Sequence, residues 1–180
     1  MNTDNSFAFS LCSSALCSLI LAVGCSRSKP PYGPEQALKT FRLPEGFHME
    51  LVASEPEISD AISIAFDERG RLWVVEMPEY PLNPKPLGRI KVLEDRDGDG
   101  RFEHATVFAD NLHFPEGVMP WKKGAIVTCA PDILYFEDTN GDGRADIRRV
   151  LVTGFAQGNP QLRVNTPLYG IDNWIYVSYP

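Results

Sequence analysis

Leu93-Glu94-Asp95-Arg96-Asp97-Gly98-Asp99-Gly100-Arg101-Phe102-Glu103 is the stretch whose reading decides the fold. It returns 43 residues later as Phe136-Glu137-Asp138-Thr139-Asn140-Gly141-Asp142-Gly143-Arg144-Ala145-Asp146. The apolar run ahead of each copy repeats too, Arg89-Ile90-Lys91-Val92 against Asp132-Ile133-Leu134-Tyr135, so the unit is a strand, an acidic glycine loop and a strand. A period of about 40 to 45 residues built from short strands marks the blade of a β-propeller, an all-β fold.

Working outward, Ala61–Phe66 and Arg71–Glu76 flank the turn Asp67-Glu68-Arg69-Gly70, which reads as a hairpin. The same turn-then-strand pattern recurs at Lys122–Val127 and Ile171–Tyr176. Two insertions separate these units. Met77–Pro86 carries four prolines in ten residues and must be a loop, and Phe155–Val164 is broken by Gly and Pro. Phe47–Ala53 alternates well enough to predict a further strand outside the first blade. The 140 residues from Phe41 to Pro180 suffice for about three blades. A ring needs more, so the chain is expected to be a partial propeller, the N-terminal part of a longer protein.

The repeated loop carries its own chemistry. Asp95, Asp97 and Asp99 alternate through a tight turn in which Gly98 and Gly100 permit positive φ. Carboxylates gathered so closely repel unless a cation lies between them, and a hard, oxygen-ligated cation suits Ca²⁺. The carbonyl of Arg101 and the carboxylate of Glu103 would complete the set; in the second copy Asp138, Asn140, Asp142, the carbonyl of Arg144 and Asp146 match place for place. Thr106 and Arg149 occupy the twelfth positions and cannot chelate, so these are not EF-hands. The bland alternative is a pair of solvated Asp-Gly turns without metal.

The chain has 180 residues, 43% of them hydrophobic, and a net charge of −7. No Lys/Arg cluster occurs, which argues against nucleic acid as a partner. Residues 1–24 read as a lipoprotein signal peptide: the uncharged run Phe7–Gly24 ends in Leu21-Ala22-Val23-Gly24-Cys25, with Cys25 as the residue to be lipidated. An uncleaved membrane anchor or an ordinary cleaved signal are the alternatives. Residues 25–40 read as a Pro-rich tether and 41–180 as the folded domain. The expected location is the cell envelope, on its periplasmic side, held to the membrane by the lipid. Cys129 lies in a strand-like run and is expected to be a small buried hydrophobe. Without a Cys-x-x-Cys-His the chain itself holds no covalent haem.

Several consecutive motifs carry a wider resemblance: Glu45-Gly46-Phe47, Glu50–Pro56, Asp67–Met77, Gly88–Asp95, Leu112-His113-Phe114-Pro115 and Gly158–Asn165. Through them residues 41–180 resemble the N-terminal domain of membrane-bound dehydrogenases of planctomycetes and verrucomicrobia. That group is similar to the soluble sugar and sorbosone dehydrogenases. The acidic loops, for their part, resemble the hairpin calcium loops of integrin α subunits. The dehydrogenase resemblance implies a six-bladed propeller holding pyrroloquinoline quinone at the mouth of its channel, a sugar or alcohol as substrate, and a cytochrome c domain or partner downstream. A base would take the hydroxyl proton as hydride passes to the quinone. Aligning Gly170-Ile171-Asp172-Asn173 with the family's Gly-Pro-Asp-Gly turn puts Leu162 where the catalytic His belongs and Thr166 near its Arg.

Other residues are therefore the candidates. His113 is the candidate base, the alternative being a hydrogen-bonded loop histidine. Arg163 and Asn165 are candidates to orient a quinone or sugar, or else cap loop backbone, and Glu76 and Tyr80 leave the end of a strand as further binding candidates. His48 and His104 read as surface residues, and Trp73, Trp121 and Trp174 as packing residues rather than sugar platforms. The rival reading is a non-catalytic, calcium-stabilised propeller serving as a binding module, or a truncated inactive fragment.

Overall fold

Strands with apolar side chains on both faces need cover on both sides, and the central strands here are of that kind. In the computed structural model, which describes residues 30–180, Trp73 and Val75 face one way and Leu72 and Val74 the other. The signal run and Cys25 lie outside the described residues. The described residues up to Arg42 belong to a unit separate from the rest. Among these described residues lies one helical turn, α1 (Pro34–Leu38), within the segment read as a Pro-rich tether. Pro34 stands at the start of that turn, where a missing N–H costs nothing, and the Gly33 carbonyl accepts from the Gln36 and Ala37 amides.

From Leu43 onward the fold is all-β. β1 (Ala61–Phe66), β2 (Leu72–Glu76), β3 (Gly88–Glu94) and β4 (His104–Leu112) form an antiparallel meander. A second meander follows in β5 (Gly117–Trp121), β6 (Gly124–Cys129), β7 (Asp132–Glu137) and β8 (Ile147–Thr153). β9 (Asn165–Tyr169) and β10 (Ile175–Ser178) make a hairpin. The hairpin turns and acidic loops fall where the sequence puts them. Residues 47–53 do not form the expected strand: their only link of ladder type is the Phe102 amide donating to the Val52 carbonyl at 2.7 Å, and one such bond does not order a strand.

The two sheets stack face to face. Trp73, Val75, Ile90, Val92 and Phe108 of the first meet Val118, Ala125, Val127, Leu134 and Phe136 of the second, with Trp73 edge-on to Phe108 at 4.7 Å between centroids. The opposite face of the second sheet, Ile126, Ile133 and Tyr135, packs with Val164 and Val177 around the terminal hairpin. The opposite face of the first packs on Ala53 and Ile58. The first strands of the three units are neighbours, β1 beside β5 and β5 beside β9.

The 43-residue repeat extends to tertiary bonds. Ala145 donates to the Phe108 carbonyl at 2.8 Å just as Phe102, its counterpart, donates to Val52. Each acidic loop thus rests on the segment preceding its own sheet. At the first hairpin, Asp67 organises the turn by accepting from the Arg69 and Arg71 amides, Arg71 Nε and Trp73 Nε1.

Candidate functional site

In an antiparallel meander, alternate connections share an end. The β2–β3 loop, the β4–β5 connection and the β8–β9 connection therefore gather at one end, and the hairpin turns with the acidic loops lie at the other. The first end is marked by backbone strain. Each unit enters its first strand through a non-glycine residue of positive φ: Asp60 at 47°, Phe114 at 54° and Thr166 at 50°. Aromatic and β-branched residues avoid that region unless their surroundings enforce it.

Phe114 is the centre of a buried polar cluster. Its amide donates to Glu79 Oε1 at 2.6 Å, linking residues 35 positions apart. The His113 ring lies against the Phe114 ring at 4.5 Å, and the Arg163 guanidinium stacks over it at 4.6 Å. Arg163 Nη2 is occupied by the carbonyls of Gln157, at 2.8 Å, and Gly158, at 3.3 Å. Glu116, on the short connection into β5, feels the Arg163 charge without forming an ion pair with it. Burial pushes its carboxyl from an ordinary 4.5 to about 7, with Arg163 pulling the other way. Gly88 makes the approach possible: a Cβ there would overlap Pro115 and lie 2.9 Å from Glu79 Oε1.

The decisive feature is what these side chains leave unmade. Among the described residues, the buried side-chain polar atoms without a hydrogen-bond partner are Glu79 Oε2, His113 Nε2, Glu116 Oε1, and Arg163 Nε and Nη1. All of them belong to this one cluster. Buried polar groups are nearly always satisfied by protein, water, an ion or a ligand, so a concentration of orphans in one place makes this cluster the candidate site.

The candidates named from sequence fall into three groups. His113 and Arg163 sit in the cluster itself. Tyr80 and Asn165 border it: Gln161 Nε2 donates to the Tyr80 hydroxyl at 2.8 Å, joining two of the loops, and Asn165 Oδ1 accepts from the Thr166 amide at the kink. Glu76 lies apart, fully committed. It accepts from the Ser59 amide at 2.8 Å, pairs with Lys91 Nζ at 3.0 Å, and accepts from Arg89 Nε. Glu79 and Glu116 were not among the candidates, though Pro115-Glu116-Gly117 sets a carboxylate in an otherwise apolar run between Phe114 and Met119. Trp73 packs as expected and Trp121 stacks on Tyr169 at 5.0 Å, but Trp174 is 70% exposed on the last hairpin.

At the far end the two acidic loops match in the backbone-amide bonds that their side chains accept. Asp95 and Asp138 each accept from two glycine amides, Gly98 and Gly100 in one loop and Gly141 and Gly143 in the other. Asp97 and Asn140 accept from the amides of Asp99 and Asp142, which in turn accept from Arg101 and Arg144. Glu103 and Asp146 accept from the amides of Arg96 and Thr139. Burial nudges the Asp138 carboxyl upward, but its backbone amides outweigh this and hold it below the ordinary range. Carboxylate oxygens of Asp95, Asp97 and Asp99 lie within 4.8 Å of one another. A groove of about 630 Å³ runs between Lys122, Lys123 and the second loop, lined mainly by charged, solvated side chains.

A family model described as a domain of unknown function, DUF7133, matches residues 33–180. The chain belongs to the DUF7133 family. No curated protein and no solved structure matches it. In this DUF7133 chain the match takes in every described strand, and with them both acidic loops and the cluster around Phe114.

Proposed function

We propose that the three units are successive blades of a β-propeller of dehydrogenase-like type, and that the cluster around Phe114 takes a neutral polyhydroxylated substrate, a sugar or an alcohol. The face-to-face sheets, the adjacent first strands and the repeat that extends to tertiary bonds support the propeller. The observation that carries the site is the convergence of every described orphaned buried polar atom on one cluster. Hydroxyl groups both donate and accept. One polyol can therefore donate to Glu79 Oε2, Glu116 Oε1 and His113 Nε2 while accepting from Arg163.

The guanidinium argues for an uncharged ligand. Both of its two-nitrogen edges include Nη2, and Nη2 is already spent on Gln157 and Gly158. The paired grip that suits carboxylate or phosphate is therefore gone, and two carboxylates stand beside the single cation. The same reasoning weighs against the pyrroloquinoline quinone of the resemblance: these residues do not fit a tricarboxylate, and no step is derived through it. A hydride acceptor for oxidation would have to be held by other groups.

Calcium in the acidic loops belongs to the same proposal. The converging oxygens of Asp95, Asp97 and Asp99 in the first loop suit a hard cation, the second loop repeats its residue pattern, and the part of the metal would be to pin the hairpins. Export and lipidation at Cys25 complete it. No helix among the described residues is long and apolar enough to cross a membrane. A binding module without catalysis is the second reading, favoured by Leu162 at the position the resemblance gives to a catalytic His.

The test is saturation-transfer NMR of the full chain with glucose, sorbitol and glycerol, beside thermal melts with and without Ca²⁺. Glucose or sorbitol signals that vanish in Arg163→Met and Glu79→Gln are expected. No transfer to any polyol would overturn the site. Dye-linked oxidation of a bound polyol separates enzyme from binding module. A melting temperature indifferent to Ca²⁺ would remove the metal.

A further inference from the structure

The turns that open the first and third units share one backbone and carry opposite side chains. Phe66 pairs with Leu72 and Tyr169 with Ile175, which leaves residues 67–71 and 170–174 as the turns. Their bonds agree. The Asp67 and Gly170 amides donate to the Arg71 and Trp174 carbonyls at 3.1 and 2.7 Å, and the Gly70 and Asn173 amides donate to the Asp67 and Gly170 carbonyls at 3.0 and 3.1 Å. Gly70 and Asn173 share the left-handed conformation, with φ of 77° and 67°. Glu68 and Arg71 of the first turn therefore correspond to Ile171 and Trp174 of the third. The fold accepts charge at both positions, so it does not itself call for Ile and Trp there.

Ile171 is 108% exposed and Trp174 is 70% exposed. This is not merely an uncovered flank. Glu68 stays exposed although the whole second sheet stacks against the first, so a further layer against β9–β10 would still leave the apex at Ile171 open. Nor is the turn loosely held. The Tyr176 hydroxyl donates to Asp172 Oδ2, the Tyr169 hydroxyl donates to Asn173 Oδ1 at 2.6 Å, and Asp172 Oδ1 accepts from the Trp174 amide at 3.3 Å. Its polar groups are spent on one another, and its apolar side chains are left facing outward.

We infer that the tip of the β9–β10 hairpin, Ile171 with Trp174, is a docking element that enters the interface of a lipid bilayer. A protruding apolar apex suits a fluid phase that closes around it, whereas a protein partner would need a matching socket. Trp is enriched where hydrocarbon meets water. The acidic loops lie at the same end of the domain, so the attraction is apolar and a neutral phosphatidylcholine surface is the one that fits. The chain also passes this end before β1, where the Val52 carbonyl accepts from the Phe102 amide beside the first acidic loop. Docking here would turn the Phe114 cluster, at the opposite end, away from the bilayer and toward dissolved ligands. The inference depends neither on the polyol reading nor on lipidation at Cys25. So small an apolar tip gives a reversible hold, of the strength that a second anchor makes lasting.

The experiment mixes the full chain with phosphatidylcholine vesicles, with or without bromine on the acyl chains near the headgroups, and reads tryptophan emission. Trp73 is buried and Trp121 packs on Tyr169, so Trp174 is the indole placed to meet bromine. Expected are quenching of the wild type by brominated lipid and its loss in Trp174→Phe. Ile171→Glu, which gives the apex the charge of the first turn, should lower the ratio of inserted to free tips by about tenfold or more. Adding phosphatidylglycerol should not strengthen the insertion. Circular dichroism confirms that the variants are folded. If the chain floats with the vesicles while Trp174 stays open to aqueous iodide, the inference falls and another part of the chain holds the membrane. Quenching unchanged in Ile171→Glu, or no association with vesicles at all, overturns it too. A glucose-induced shift of Trp174 emission without vesicles would make the tip a sugar platform instead.

Discussion

Replacing Glu116 by Gln should stabilise the protein at neutral and alkaline pH and leave it unchanged in acid. The carboxyl is raised from 4.5 to about 7, chiefly by burial. Below about pH 4.5 folded and unfolded chains both carry the proton, and the group contributes no pH dependence. Between 4.5 and 7 the unfolded chain releases it while the folded chain keeps it, so stability falls as pH rises; above 7 both are ionised and the penalty is complete. A displacement of this size amounts to about 3 kcal/mol. Gln preserves the shape of the protonated form and never ionises. Urea unfolding followed by tryptophan fluorescence should give overlapping curves for variant and wild type near pH 4. The variant should then lead increasingly, reaching about 3 kcal/mol near pH 8. A variant less stable than wild type near pH 8, or a difference that does not change with pH, would refute the assignment of an uncompensated carboxylate. Stability gained where binding is lost is the trade-off expected of a residue kept for function.

Two further outcomes follow from packing. Gly124→Ala should cost on the order of 4 kcal/mol, read from the urea midpoint, because the added Cβ would overlap the Phe136 carbonyl, a backbone atom within the β6–β7 pair that cannot step aside. Burial first, and then the charges of Asp132 and Glu79, raise the Cys129 thiol against the opposing pull of the His113 carbonyl bond and Arg148. Peptide mapping after iodoacetamide treatment near pH 8 should therefore find Cys129 unmodified in the native protein and alkylated in concentrated guanidinium; alkylation in the native state would place the thiol at the surface.

What was legible in the sequence follows the range of the interactions involved. The acidic loops announce themselves because most of the side-chain bonds that shape them lie within five residues, as in Gly100 to Asp95, and a local pattern repeats visibly. The hairpins are equally local, since one turn such as Asp67–Gly70 sets each register. Glu76 looked available because its partners Arg89 and Lys91 stand on the next strand, and only the Glu76–Arg89 register shows that its charge is already spent. The cluster around Phe114 depends on three connections meeting, with Glu79 and Phe114 separated by 35 positions and Tyr80 and Gln161 by 81. No local pattern encodes such a meeting. Arg163 and His113 could be suspected because charge in a Gly/Pro insertion or beside a strand end is unusual, whereas Glu79, set between Pro78 and Tyr80, resembles any solvated loop residue until burial removes the solvent.

That difference bears on the function. Glu76 and Glu79 are three residues apart and both fully buried, yet their surroundings treat them oppositely. A carboxylate retained for stability recruits cations, and Glu76 has two within ion-pair distance. Glu79 is given one amide and an oxygen with nothing to accept from, next to Glu116 and Arg163 in a similar state. The Arg163 guanidinium is held by the Gln157 and Gly158 carbonyls and the Phe114 ring, and no ion pair joins it to Glu116. Unspent buried polar capacity costs stability, and the polyol proposed for this cluster is a ligand whose hydroxyls would offset that cost.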